Sequence, residues 1–153
     1  MYLEGVERGS ANSLEGFLFP DTYDFYKNSS PREVLEKLMD NFDNKFSEEM
    51  RAQITTLNDH LAQLMREDGR SEETISASLF DVRDVVIVAS LIEKETASNE
   101  ESYTIASVIY NRLFNWGSTP AYLNIDASII YAQGGFSEVI DTVCSTGAAP
   151  PPI

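Results

Sequence analysis

Cysteine and histidine are almost missing from this sequence of 153 residues, in which Cys144 and His60 are the only examples. A single cysteine excludes an internal disulfide and any metal site built from several cysteines. A single histidine argues against a histidine-based zinc site and against a Ser-His-Asp triad. His60 lies in a polar helical stretch, where we expect it on the surface. We therefore expect neither a bound metal nor a cofactor.

Positive charge is also scarce, because 11 lysines and arginines face 25 aspartates and glutamates, for a net charge of -14. Binding to nucleic acid or to anionic lipid surfaces depends on lysine and arginine. The composition therefore predicts no nucleic-acid partner, and we interpret the acidic surface as favouring solubility.

The N-terminus MYLEGVERGS lacks the apolar run of a signal peptide or a transmembrane segment. The length fits one domain with a hydrophobic core. Residues 1–13 are polar and contain glycine, so we expect a flexible tail before a domain over 14–153.

An unbroken apolar run is the most informative feature that is present, and it covers residues 85–92 with one small hydroxyl. Asp81 is placed to cap a helix there, with Asp84 at the third helical position. A helix that is apolar on every side is typically buried all round. The pattern therefore predicts a fully buried helix.

Glu93 and Glu95 end this apolar run. They either mark where a core helix meets solvent, or one of them is partly desolvated and donates a proton near neutral pH. Because they are two residues apart, they point to nearly opposite sides of a helix, and both continue apolar rows. Periodicity leaves the choice between them open.

Several other helices are indicated by their start signals. The segment 98–101, SNEE, is a capping box that predicts a helix over the following apolar positions, with a stop at Gly117. The segment 30–33, SPRE, is another, with proline at the first helical position. An apolar stripe follows it, Ser47 is placed to restart the helix, and Asp68-Gly69 ends it. We interpret residues 51–76 as a helical hairpin.

Two further segments combine aromatic and turn residues. Residues 14–25, LEGFLFPDTYDF, alternate aromatic side chains around Pro20, which predicts a short strand or an extended loop. This cluster fits either a core or a platform for sugar rings. Residues 122–131 predict an extended loop and then a short helix from Asp126 or Ala127, in which Asp126 read alone is a helix cap.

Four ordered blocks, LEGFLFPDTYDF, ASLIEKETA, ASVIYNRL and LNIDASIIYA, resemble the YceG-like endolytic peptidoglycan transglycosylases. The resemblance implies an α+β, mostly helical fold, namely a lysozyme-like transglycosylase catalytic domain with a small amount of strand. It also implies that this chain is a C-terminally truncated domain. The parent would be membrane-anchored, with the domain on the extracytoplasmic face of the bacterial membrane.

By this resemblance the chain cleaves the bond between N-acetylmuramic acid and N-acetylglucosamine and leaves a 1,6-anhydro end. Its partners are peptidoglycan glycan strands, with cell-wall synthesis proteins as further candidates. Glu95 is the implied catalytic residue. The candidate substrate-binding residues are Asn111, Asn124, Asp126, Ser128 and Tyr131.

The sequence departs from the family pattern at several polar positions. Asn124, Ala127 and Ser128 stand where the family has glutamine, proline and threonine, and Ser102 replaces an arginine. Ile140 and Val143 take the places of tyrosines near the C-terminus. We therefore expect the isolated chain to fold but to cleave poorly. A glycan-binding module of the same fold, a hydrolase using Glu95 with Asp126 as base, and a helical adaptor are the alternatives.

Overall fold

The computed structural model describes residues 14–96, 98–116 and 122–132, and all structural statements concern these ranges. Within them, 69% of the residues are helical and no strand is found. The mostly helical class predicted from the sequence is confirmed, whereas the predicted small amount of strand is not found there. The helices of the described ranges are α1 (Pro31–Lys45), α2 (Glu48–Glu67), α3 (Glu72–Ala77), α4 (Val82–Glu95), α5 (Asn99–Phe114) and α6 (Asp126–Ala132).

The chain divides into two compact units, Met1–Val86 and Ile87–Ile153, which we call the N-terminal unit and the C-terminal unit. The helix α4 contributes its residues through Val86 to the first unit and the remainder to the second. No helix in the described part of the chain is both long and apolar enough to cross a membrane.

The helices α1 and α2 begin at the residues that the sequence predicts. At α1 the Ser30 hydroxyl accepts from the Glu33 backbone N–H, and the Glu33 carboxylate accepts in return from the Ser30 backbone N–H at 2.7 Å. The Ser30 hydroxyl also donates to the Glu33 carboxylate at 2.9 Å, and the two bonds from the Ser30 backbone N–H and hydroxyl hold the pKa of Glu33 below its usual value. Ser47 caps α2 through the Met50 backbone N–H. Both predicted helix starts are confirmed, and each satisfies backbone donors that the first turn leaves unpaired.

The aromatic segment before α1 is a turn followed by an extended loop, so the loop alternative for residues 14–25 is confirmed. Phe17 is buried and packs edge-on against Phe42, which stacks on Phe46. These three rings form one core cluster of the unit, because burying a phenylalanine ring removes a large apolar area from water. Phe25, in contrast, is 43% exposed.

The loop is fixed to α1 by side-chain hydrogen bonds. Asn41 donates to the Tyr23 hydroxyl at 2.8 Å and to the Asp21 carboxylate at 3.1 Å, while Lys37 donates to the Asp24 carbonyl at 2.6 Å. The Asn41 bond, together with the Thr22 backbone N–H, holds the pKa of Asp21 below its usual value. The loop is therefore held along most of its length.

The helices α2 and α3 pack against each other as the predicted hairpin. Leu61, Ala62 and Met65 of α2 are buried together with Ile75 of α3. The turn between the helices uses Gly69 at a φ of 78°, a backbone conformation that favours glycine. His60 lies on the exposed surface of α2, as predicted.

The helix α4 begins as predicted but is not buried all round. Asp81 and Asp84 each accept the backbone N–H of the other at 2.9 Å, which confirms this start. Val88 is the one buried residue of α4, and Ile87 is 50% exposed. The prediction of a fully buried helix over 85–92 is therefore wrong. Val82 and Val86 pack on the aromatic core and are only partly buried.

The helix α5 is also formed, but its two predicted ends need correction. Ser98 precedes it without a side-chain capping bond, so the predicted capping box is wrong. The Ser98 backbone N–H, which a capping-box glutamate would bind, instead donates to the Thr96 hydroxyl at 3.1 Å. At the other end, Asn115 adopts the left-handed conformation at a φ of 50° and ends the helix. The predicted stop, Gly117, lies outside the described residues, as do the tail 1–13 and the altered positions Ile140 and Val143.

Candidate functional site

Glu95 is the last residue of α4, and its side chain is exposed, as is that of Glu93. No hydrogen bond or ion pair joins the Glu95 carboxylate to another described residue. The sequence left two alternatives for these carboxylates, a boundary with solvent or a partly desolvated acid, and both side chains are exposed in the structure. Exposure therefore does not choose between the two glutamates.

A short hydrogen-bonded turn fixes the backbone directly after Glu95. The Thr96 backbone N–H donates to the Ile92 carbonyl at 3.0 Å and continues the helical pattern. The Thr96 hydroxyl donates to the Ser98 carbonyl and accepts from the Ser98 backbone N–H. These bonds satisfy backbone groups at the junction of α4 and α5, so the position of the Glu95 backbone is defined locally.

Asn111 lies on an exposed position in the last part of α5, between Tyr110 and Arg112. Burial raises the pKa of the Tyr110 phenol above its usual value, so this hydroxyl stays neutral through the physiological range. Arg112 is partly exposed and belongs to the last turn, where a cation complements the helix dipole. The C-terminal end of α5 thus carries an exposed amide and a partly exposed guanidinium.

The segment before α6 presents the other candidate residues. Asn124 is exposed and has a left-handed φ of 48°, and it is followed by the buried Ile125. Asp126 is the exposed first residue of α6, which confirms the predicted short helix. The Ser128 hydroxyl donates to the Ile125 carbonyl at 2.6 Å, so this hydroxyl serves the helix start. Tyr131, in the last turn of α6, is 58% exposed.

One hydrogen bond brings two of these segments together. The Arg112 guanidinium donates to the Leu123 carbonyl, which lies 11 residues further along the chain. Asn111 is the neighbour of the donor and Asn124 is the neighbour of the acceptor. Sequence reasoning did not single out Arg112. The sequence places Arg112 in the last turn of α5, but it does not specify a carbonyl partner 11 residues further along the chain.

The candidate residues therefore fall into two groups in the described structure. Asn111, Asn124 and Asp126 lie on backbone segments that the Arg112 bond joins. Glu95 lies at the end of α4 with no hydrogen bond to them among the described residues. The groove that we expect between Glu95, Asn111 and Asp126 stays a prediction. Among the described residues, no group of three or more histidine, cysteine, aspartate or glutamate side chains is placed to hold a metal ion.

Comparisons with known proteins show which family model and which relatives this chain is similar to. The model of the YceG-like family matches residues 3–146. A protein named endolytic murein transglycosylase in Streptococcus pneumoniae serotype 2 (strain D39 / NCTC 7466) is 28% identical over 134 residues, which cover 88% of this chain and 20% of that protein. A Bacillus subtilis (strain 168) protein of the same name is 29% identical over 151 residues, covering 92% of this chain and 35% of that protein. The chain thus spans about one fifth to one third of these relatives, and no solved structure matches it.

Proposed function

The chain belongs to the YceG-like family, and from that premise we propose that it is the catalytic part of an endolytic murein transglycosylase. The observation that carries the proposal is the family match over nearly the whole chain, with relatives in two organisms that bear this name. The proposed substrate is the peptidoglycan glycan strand, cleaved between N-acetylmuramic acid and N-acetylglucosamine. A lysozyme-like fold and a location outside the cytoplasm belong to the same proposal.

Glu95 is the proposed single acid and base of this reaction. In its protonated form it donates to the oxygen that links muramic C1 to N-acetylglucosamine, and the C1–oxygen bond breaks. The muramic C6 hydroxyl then attacks C1, and its proton returns to the Glu95 carboxylate. A 1,6-anhydro ring forms, N-acetylglucosamine leaves with a free hydroxyl, and no water is consumed. Hydrolytic enzymes, in contrast, normally need a second carboxylate to activate water or to act as nucleophile.

Because Glu95 is exposed, the bound substrate has to contribute to the activation of this carboxyl group as an acid. Because the described residues leave this carboxyl open to water, the bound glycan has to exclude water from it. Asn111, Asn124, Asp126, Ser128 and Tyr131 are the proposed binding residues. Four of them are exposed, and amide, carboxylate and phenol groups match the hydroxyls and acetamido groups of a glycan.

A glycan-binding module of the same fold is the second candidate, and two observations favour it. Glu95 has no hydrogen-bonding partner among the described residues that would orient it. Ser102 replaces an arginine of the family pattern. Its hydroxyl donates to the Ser98 carbonyl at 3.4 Å and is therefore bonded within the first turn of α5. Such a module would hold glycan strands without cutting them.

The test is to incubate the purified chain with uncrosslinked glycan strands in oxygen-18-labelled water and to analyse the new ends by mass spectrometry. A transglycosylase produces unlabelled 1,6-anhydro ends, and this is the result we expect, at a low rate. Labelled reducing ends would instead identify a hydrolase. Strand binding without new ends would identify the binding module, and neither binding nor cleavage would refute both candidates.

A further inference from the structure

The hydrogen bond from Arg112 to the Leu123 carbonyl is a long-range contact within the C-terminal unit. Both residues are partly exposed, and a bond from a charged guanidinium to a carbonyl is stronger than one between neutral groups. We infer that Arg112 is a positioning residue, which holds residues 123–126 against the end of α5. The inference rests on the proposed function, because these residues include candidate glycan-binding groups.

The segment that Arg112 holds is bonded on both sides of a left-handed residue. Asn124 has a φ of 48°, a conformation that asparagine adopts more readily than most residues other than glycine. On one side of Asn124, Arg112 binds the Leu123 carbonyl. On the other side, the Ile125 side chain is buried at 5% exposure, and its carbonyl accepts from Ser128. Asn124 is thus fixed from both sides.

The consequence concerns three candidate groups at once. Asn111 adjoins the donor of the bond, Asn124 adjoins the acceptor, and Asp126 begins α6 two residues later. Removing the Arg112 guanidinium would remove this hydrogen bond between residues 123–126 and α5, and these groups would lose a constraint on their spacing. Catalysis and tight binding depend on such fixed spacing, because displacing groups by about 1 Å costs up to a hundredfold in rate. Arg112 acts through these groups and does not itself touch the reacting atoms.

The alternative is that Arg112 only stabilises the fold. A matched control variant distinguishes this role from the positioning role. Arg51 in the N-terminal unit is also partly exposed and binds Asp43 at 2.5 Å. It also lies over the Phe46 ring, so Arg51→Met removes a comparable guanidinium from the N-terminal unit. We expect this control to lower the thermal midpoint and to leave kcat/KM for 1,6-anhydro production unchanged.

The experiment is a double-mutant cycle on the 153-residue chain with uncrosslinked glycan strands, reading kcat/KM, the Kd for the strands and the thermal midpoint. Arg112→Met should lower kcat/KM or strand affinity about tenfold, and Arg112→Lys should recover most of the loss. In the background of Asp126→Asn and Asn124→Ala, Arg112→Met should cost less than about twofold, because the groups it positions are already gone. Two results would overturn the inference. One is that Arg112→Met lowers kcat/KM or strand affinity about tenfold in that background as well. The other is that Arg112→Met lowers only the thermal midpoint and leaves kcat/KM and strand affinity unchanged.

A structural readout keeps this test independent of the proposed function. Arg112→Met should speed amide hydrogen exchange at residues 123–126 by about tenfold or more, while Arg51→Met should leave these amides unchanged. If the unsubstituted chain neither binds nor cleaves glycan strands, the proposed function falls. Faster exchange at 123–126 would still support Arg112 as the residue that positions this segment. Unchanged exchange would overturn the inference whatever the activity.

Discussion

The N-terminal and C-terminal units differ in where their large apolar side chains lie. In the N-terminal unit, three phenylalanine rings form a buried core, and six large hydrophobic side chains are exposed. The C-terminal unit has fewer described residues, yet it exposes seven, including Ile87, Tyr103 and Tyr122. All six candidate site residues also lie in the C-terminal unit.

We interpret this difference as one between a scaffold and the unit that carries the candidate site. The N-terminal unit satisfies its helix starts with side-chain caps and holds its aromatic loop by hydrogen bonds to α1. The C-terminal unit keeps apolar and polar side chains open to contact, as binding surfaces do. Binding groups are often carried by loops and helix ends on a rigid support, and the segment 122–126 follows this rule.

The largest expected effect tests the core of the N-terminal unit. Phe42→Ala should lower the free energy of unfolding by about 3–5 kcal/mol, because it leaves a cavity between two packed rings. Phe25→Ala is the control, since it removes the same ring at a 43% exposed position, and it should cost about 1 kcal/mol or less. Denaturant titration measures both. Equal losses would mean that the three rings are not the core.

A pair of glycines gives the next largest effect. Gly16 has a φ of 87°, and a Cβ there would lie 2.8 Å from Cγ1 of Val86. Gly16→Ala should therefore cost about 2–4 kcal/mol, from the left-handed backbone together with overpacking. Gly69 has a φ of 78° and open space around it, so Gly69→Ala should cost only about 1–2 kcal/mol. If thermal unfolding shows equal losses, the contact between the turn and α4 is not tight.

A pair of serines compares the two units directly and has the smallest effect. Ser30 caps α1, so Ser30→Ala should lower the free energy of unfolding by about 1 kcal/mol. Ser98 makes no capping bond at α5, so Ser98→Ala should cost less than about 0.5 kcal/mol. Chemical denaturation of both variants tests this. A larger loss at Ser98 would restore the capping box that the sequence predicts.

Local features of the fold were predictable from the sequence because the groups involved lie within four residues of each other. The starts of α1, α2 and α4 and the short helix α6 belong to this class. The capping box predicted at Ser98 was wrong because the Thr96 hydroxyl, two residues earlier, binds the Ser98 backbone N–H instead. The stop of α5 was misplaced because Asn115 also adopts the left-handed conformation that glycine favours.

Burial was less predictable, because it depends on tertiary packing. The apolar run 85–92 correctly predicted a helix, yet Val88 is the only residue of that helix that is buried. The candidate site shows the same limit. The sequence placed Asp126 at a helix start, but the bond from Arg112 to the Leu123 carbonyl spans 11 residues and no local pattern specifies it.

The central claim is that Glu95, rather than its neighbour Glu93, is the acid and base of glycan cleavage. Both glutamates lie in the last turn of α4 and both are exposed, so Glu95→Gln and Glu93→Gln are matched changes in shape and charge. The measurement is the rate of 1,6-anhydro end formation from uncrosslinked glycan strands by each variant. Glu95→Gln should lower it by about a hundredfold or more, since glutamine cannot exchange a proton, and Glu93→Gln should lower it by less than about threefold. Loss of cleavage in Glu93→Gln with full activity in Glu95→Gln would contradict the account.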